Sequence, residues 1–168
     1  MPKVAVIMGS KSDLPNLKGA FDVLKDFKVD TEVRVISAHR TPAEALEFAE
    51  NAEKNGFEII ICAAGMAAHL AGVIAAHTTL PVIGIPMASE PFNGLDSLFS
   101  TVQMPPGIPV ATVTAGKCGG KNAALFAMSI LALKSQVIAD KLKEFRQSQT
   151  ENVKKADAEV SKEYSITF

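Results

Sequence analysis

Three short segments hold most of the residues able to bind or transform a ligand: "GSKSD" (9–13), "SAHR" (37–40) and "AAGMAAHLAG" (63–72). In the first, Gly9 permits a tight turn. Ser10 and Ser12 offer hydroxyls beside the free amides that a helix presents at its start. Asp13 is ill suited to a phosphate and well suited to a ribose diol. A structural reading stands beside this one, with Ser12 capping the helix and Asp13 favouring its dipole. Neither the G-x-G-x-x-G fingerprint of dinucleotide sites nor a P-loop is present.

In the second segment, Arg40 can clamp a phosphate through paired hydrogen bonds. His39 can move protons near neutral pH. Taken singly, each is an ordinary surface residue. Their joint placement at a strand end points to a site. In the third segment, small residues let a flat ring approach the backbone closely, although they would equally permit tight helix–sheet packing. His69 and His77 read as structural, and the three histidines lack metal-ligand spacing. Cys62 and Cys118 are too few for a disulfide framework or zinc site, and no base stands near Cys118 to make it a nucleophile. "GKCGGKN" (116–122) offers a phosphate contact without P-loop spacing. The proline-bearing loops "ASEPFNGLDSL" (88–98) and "QMPPGIP" (103–109) have compositions suited to closing over a ligand or meeting another subunit.

The elements that position these segments follow from the apolar pattern. "VAVIM" (4–8), "IIICAA" (59–64) and "VIGIP" (82–86) are short and apolar on both faces, as strands of a helix-covered parallel sheet are. "TEVRVI" (31–36) alternates more and fits a strand nearer the edge, and "IPVATVT" (108–114) makes a fifth. Leu14, Leu17, Phe21 and Leu24 recur at helical spacing within 13–27. Over 41–55, Thr41 suits the N-cap, Pro42 the first helical position and Glu44 a capping box, with Asn55-Gly56 as the stop. Further helices are expected at about 67–77, 94–102 and 120–146. The β-α alternation predicts a three-layer αβα sandwich with a doubly wound parallel sheet. A flavodoxin-like strand order 2-1-3-4-5 is favoured over the six-stranded dinucleotide fold. All three chemistry-bearing segments then lie at the carboxyl edge of the sheet, where ligands bind in such folds. The polar tail reads as frayed or as an arm laid on a neighbouring subunit.

The bulk figures agree. With 168 residues, 48 % hydrophobic and 21 % charged, the chain suits one ordered domain. A net charge of −1 without a basic block argues against a nucleic-acid partner. No apolar stretch reaches the roughly 18 residues needed to cross a bilayer, and no secretory leader opens the chain, so no membrane partner and a cytoplasmic location are expected.

The ordered set "MGSKSD", "SAHRTP", "GMAAHLAG", "GLDSLFSTVQMPPGIPVATV" and "NAALFA" resembles the N5-carboxyaminoimidazole ribonucleotide mutases, the class I PurE enzymes of purine biosynthesis, over about residues 3–150. "SAHRTP" favours the mutase over the related carboxylase class, in which the arginine and proline usually differ. The resemblance implies conversion of N5-carboxyaminoimidazole ribonucleotide into 4-carboxy-5-aminoimidazole ribonucleotide, without metal or organic cofactor. It implies His39 as the catalytic histidine and Ser10, Ser12 and Arg40 as phosphate and substrate contacts. Asp13 would take the ribose hydroxyls, and Ser37, Ala64, Gly65 and Ala67 would complete the substrate-binding set. It further implies a homo-octamer, with residues 1–150 as the catalytic domain and 151–168 as a tail packed on a neighbour. Met66 departs from a common glycine and Ala71 from a common proline. The rivals are the carboxylase reaction on free carbon dioxide and a non-catalytic flavodoxin-like module. The module would need an acidic phosphoacceptor cluster, where only Asp13 stands, or flavin-stacking aromatics, where the chain has one tyrosine and no tryptophan.

Overall fold

The computed structural model describes residues 1–166. Five parallel strands form one sheet in the order β2-β1-β3-β4-β5. They are β1 (Lys3–Met8), β2 (Asp30–Val35), β3 (Ile59–Gly65), β4 (Val82–Met87) and β5 (Ala111–Thr112). The three strands read as apolar on both faces are the three central ones, and Val4–Met8, Ile59–Ala63 and Val82–Met87 are all buried. β2 lies at the edge, as its alternation implied. Its Glu32 bridges Lys3 at 3.2 Å and Arg34 at 3.3 Å, and the Lys3 ammonium is the main cause holding the Glu32 carboxyl below its usual range. Charges along an edge strand discourage edge-to-edge pairing.

Helices cover both faces. They are α1 (Lys18–Asp26), α2 (Pro42–Asn51), α3 (Leu70–Ala76), α4 (Leu95–Val102), α5 (Lys117–Ala132) and α6 (Gln136–Tyr164). Ala5, Ile7, Ile60 and Cys62 of the sheet form one apolar cluster with Ala45 and Ala49 of α2 and Leu70 and Ile74 of α3. Burial pushes the Cys62 thiol far above its ordinary range, so it is a core side chain with no nucleophilic use.

The structure differs from the sequence expectation in four places. The stretch 13–27 is divided into a 3-10 segment, Lys11–Leu17, followed by α1; Pro15, lacking an amide hydrogen, lies in the tighter segment. The capping box of α2 does not form, because Thr41 turns its hydroxyl back to Ser37. β5 is only two residues long, with Pro109 just upstream unable to donate to a ladder. The single helix expected over 120–146 is two, because the Ser135 hydroxyl accepts from the Ile138 amide and starts α6 anew.

Two compact units result, residues 1–127 and 128–168, and the whole sheet belongs to the first. Within that unit, Gly84 of β4 sits where α3 and α4 come closest to the sheet. A Cβ there would collide with the Thr101 methyl and meet Val110 at 3.0 Å and Ala71 at 3.4 Å. Gly84→Ala is expected to lower stability by about 1–3 kcal/mol through overpacking, read by urea unfolding. An unchanged midpoint would show that α4 yields without cost.

Candidate active site

A parallel sheet brings the ends of all its strands to one edge, and the crevice opens where neighbouring strands send their loops in different directions. Here that point lies between β1 and β3. A cavity of about 680 Å³ opens there, lined by residues from the loops after β1, β2, β3 and β4. Every residue singled out for substrate contact lines it: Ser10, Ser12, Asp13, Ser37, His39, Arg40, Ala64, Gly65 and Ala67. A second cavity of about 720 Å³ lies at the opposite edge, beside Glu50, Glu53 and His77, and gathers no residue from the three chemistry-bearing loops.

The β2 loop is held by a small knot of hydrogen bonds. The Thr41 hydroxyl accepts from the Ser37 amide at 3.0 Å and donates to the Ser37 carbonyl at 3.1 Å. The Ser37 hydroxyl accepts from the Arg40 amide at 3.2 Å and from Arg40 Nε at 3.4 Å. Arg40 Nη2 reaches across to donate to the Gly9 carbonyl at 2.8 Å. The guanidinium thus ties the β2 loop to the β1 loop. It carries five N–H donors in all, so these bonds do not exhaust its capacity for an anion.

In the β1 loop, the Ser10 hydroxyl accepts from the Ser12 amide at 3.3 Å and from the Ser12 hydroxyl at 2.8 Å. Ser10, rather than Ser12, is therefore the N-cap of the 3-10 segment. Asp13 stands three residues on, half-buried at the cavity wall.

The histidines depart from the sequence reading. His69, taken as structural, faces His39: His39 Nε2 and His69 Nδ1 are 2.8 Å apart, with the rings edge to face at 86°. One ring nitrogen must donate while the other accepts, so the contact accommodates a single hydrogen. His77 does stay outside the site, 3.4 Å from Glu50 across the far cavity. Ser89 was not singled out either. It lines the cavity beyond β4, and its hydroxyl oxygen is buried without a hydrogen bond among the described residues. Its loop is anchored by Ser97, whose hydroxyl donates to the Met87 carbonyl at 2.8 Å. By composition this loop, 88–98, suits closing over a ligand or meeting another subunit, but nothing in that reading distinguishes Ser89. Among the described residues, no group of three or more His, Cys, Asp or Glu side chains is arranged to hold a metal ion.

Burial raises the Asp13 carboxyl above its ordinary value of 3.8, against the lowering effect of a backbone hydrogen bond at Ser10. Ionising it in the folded chain therefore costs stability at neutral pH. That cost disappears below the unfolded pKa, where both states hold the proton. Asp13→Asn is expected to raise the Tm of the ligand-free protein at pH 7, with the gap closing as the pH falls toward about 3.8 and gone well below it. A variant less stable than wild type at pH 7 would mean that the carboxylate stabilises the fold.

Known proteins resemble this chain in sequence and in fold. The AIR carboxylase family model matches residues 3–152. A relative from Pyrococcus abyssi, an N5-carboxyaminoimidazole ribonucleotide mutase, is 60 % identical over 147 residues, covering 88 % of this chain and 83 % of its own. One of the same name from Saccharolobus solfataricus is 55 % identical over 153 residues, covering 91 % and 96 %. The crystal structure of Treponema denticola PurE superposes with a TM-score of 0.84 at 28 % identity, covering 99 % of this chain and all of that one. With a match across nearly its whole sheet and all four site loops, the chain belongs to the AIR carboxylase family.

Proposed function

We propose that the chain is an N5-carboxyaminoimidazole ribonucleotide mutase, with His39 as its proton carrier. The observation that carries the assignment is the 2.8 Å His39–His69 contact at the mouth of the cavity, in a chain 48–60 % identical to relatives named as that enzyme. Arg40, with Ser10 and Ser12, takes the phosphate. Asp13 takes the ribose diol, and Ser37, Ala64, Gly65 and Ala67 admit the flat ring.

The reaction then runs as two proton-coupled steps. The bond between the exocyclic nitrogen and its carboxylate breaks, carbon dioxide departs, and the electron pair left on nitrogen takes a proton from His39. The electron-rich ring carbon attacks the same carbon dioxide, and neutral His39 removes the ring proton, restoring aromaticity. Atoms and charge balance within one substrate molecule, and no redox partner is called for. His69 positions the His39 ring through their shared hydrogen. Excluding water from the cavity keeps the carbon dioxide from escaping before recapture.

The same proposal makes residues 1–150 the catalytic domain and 151–168 an arm on a neighbouring subunit of a homo-octamer; residues 167 and 168 lie outside the described structure. Two observations support assembly. Leu95, Phe99 and Val102 expose an apolar stripe along α4, with Phe92 exposed in the loop before it, and Val153, Val160 and Tyr164 expose another near the end of α6. No helix among the described residues is long and apolar enough to cross a membrane. With both cysteines present as thiols, we place the enzyme in the cytoplasm. Sedimentation should return an octamer; a monomer would overturn the assembly.

The second reading, carboxylation of aminoimidazole ribonucleotide by free carbon dioxide, takes its support from the description of the matching family model. Purified protein should convert N5-carboxyaminoimidazole ribonucleotide into the ring-carboxylated product without added bicarbonate. Product formed only from aminoimidazole ribonucleotide plus bicarbonate would decide for the carboxylase. His39→Asn should lower turnover by at least about 10²-fold, the usual worth of a general acid–base group, with product affinity held within a few fold. Near-normal turnover in that variant would remove His39 from the mechanism.

A further inference from the structure

Directly after β3 the backbone passes through Met66 with φ +56°. This left-handed region is disfavoured for every L side chain and open to glycine. Strain of this kind persists where the surroundings or a ligand use it. The core does not hold Met66, because the residue is 63 % exposed. Three lining side chains of the active-site cavity are apolar and larger than alanine, and the other two, Leu70 and Met87, are each only 2 % exposed. Among the described residues, Met66 is therefore the one large apolar side chain that the cavity leaves open. It stands between Gly65 and Ala67, on the loop that carries His69.

We propose that Met66 is a substrate-contacting residue whose thioether forms an apolar wall over one face of the bound imidazole ring. The inference rests on the mutase reading. The remainder of the cavity lining is chiefly polar groups and small residues, which can hold a phosphate and a diol but give a flat ring little to pack against. An unbranched thioether suits this role. It conforms to the ring, and sulfur makes favourable contacts with aromatic systems. Lacking a branch at Cβ, it also tolerates the left-handed backbone better than valine or isoleucine would. The strain at residue 66 is retained for the ligand rather than for the fold.

The role and a structural one move stability and affinity in different directions. Wild type, Met66→Gly and Met66→Leu are compared by thermal unfolding without ligand, by calorimetric binding of 4-carboxy-5-aminoimidazole ribonucleotide, and by steady-state mutase kinetics. Met66→Gly is expected to keep its Tm or raise it by up to about 4 °C. Its affinity should fall about 4- to 12-fold, the effect of leaving roughly half a methionine side chain unburied, with KM rising more than kcat falls. Met66→Leu should return affinity to within about 3-fold of wild type, as expected for replacement by an apolar residue of similar volume. Wild-type affinity and KM in Met66→Gly would overturn the proposal. So would a Met66→Leu variant that loses both Tm and affinity, since the residue would then serve the fold. A wild type that neither binds nor converts any imidazole ribonucleotide would overturn the mutase reading itself, and this inference with it.

Discussion

The Arg40 guanidinium reaches from the β2 loop to the Gly9 carbonyl at 2.8 Å, and the site depends on that reach. β2 is an edge strand with little burial of its own, and core packing reaches its loop through Ile36 and Ala38. The Thr41–Ser37–Arg40 hydrogen bonds shape the loop internally, and the bond to Gly9 fixes it against the central strand. Each bond taken alone contributes about 1 kcal/mol, somewhat more for the charged donor. Together they set where His39 stands relative to the β3 loop. In the role proposed for His39, a misplacement of one ångström would forfeit much of the advantage of a proton carrier.

On the other side of the cavity, order comes from close backbone approach. Gly65 ends β3 in register with Met87 of β4, and a Cβ on it would lie 3.3 Å from the Met87 carbonyl. The buried Ser97 hydroxyl donates to that same carbonyl. The ends of β3 and β4 are thus drawn together beneath the cavity. Small residues here permit the close packing and also line the cavity, so the two readings of "AAGMAAHLAG" are compatible.

The edge strand and the unpartnered stripes show the same economy in another form. Glu32 of β2 pairs at the surface with Arg34 of the same strand and with Lys3 of β1, where such bridges are worth little for stability and more for preventing strand addition. Exposed large apolar residues lie on α4 (Leu95, Phe99 and Val102) and on α6 (Val153, Val160 and Tyr164), and Val33 and Val35 are exposed on β2 itself.

The sequence alone determined the sheet, its order and the loops that meet at its carboxyl edge. These rest on local regularities: β-branched runs buried on both faces, proline at the first turn of α2, serine and glycine where strands end. It misjudged features in which side chains choose between local partners. Thr41 chose Ser37 over its own helix, and Ser135 broke a pattern that read as continuous. Only the tertiary structure decided that His69 belongs with His39. The two lie 30 residues apart on separate strand-end loops, and no spacing rule within either loop encodes their 2.8 Å contact. That contact is fixed by the register of β1 between β2 and β3 and by the guanidinium tie to Gly9, long-range constraints that exist only once the chain has closed.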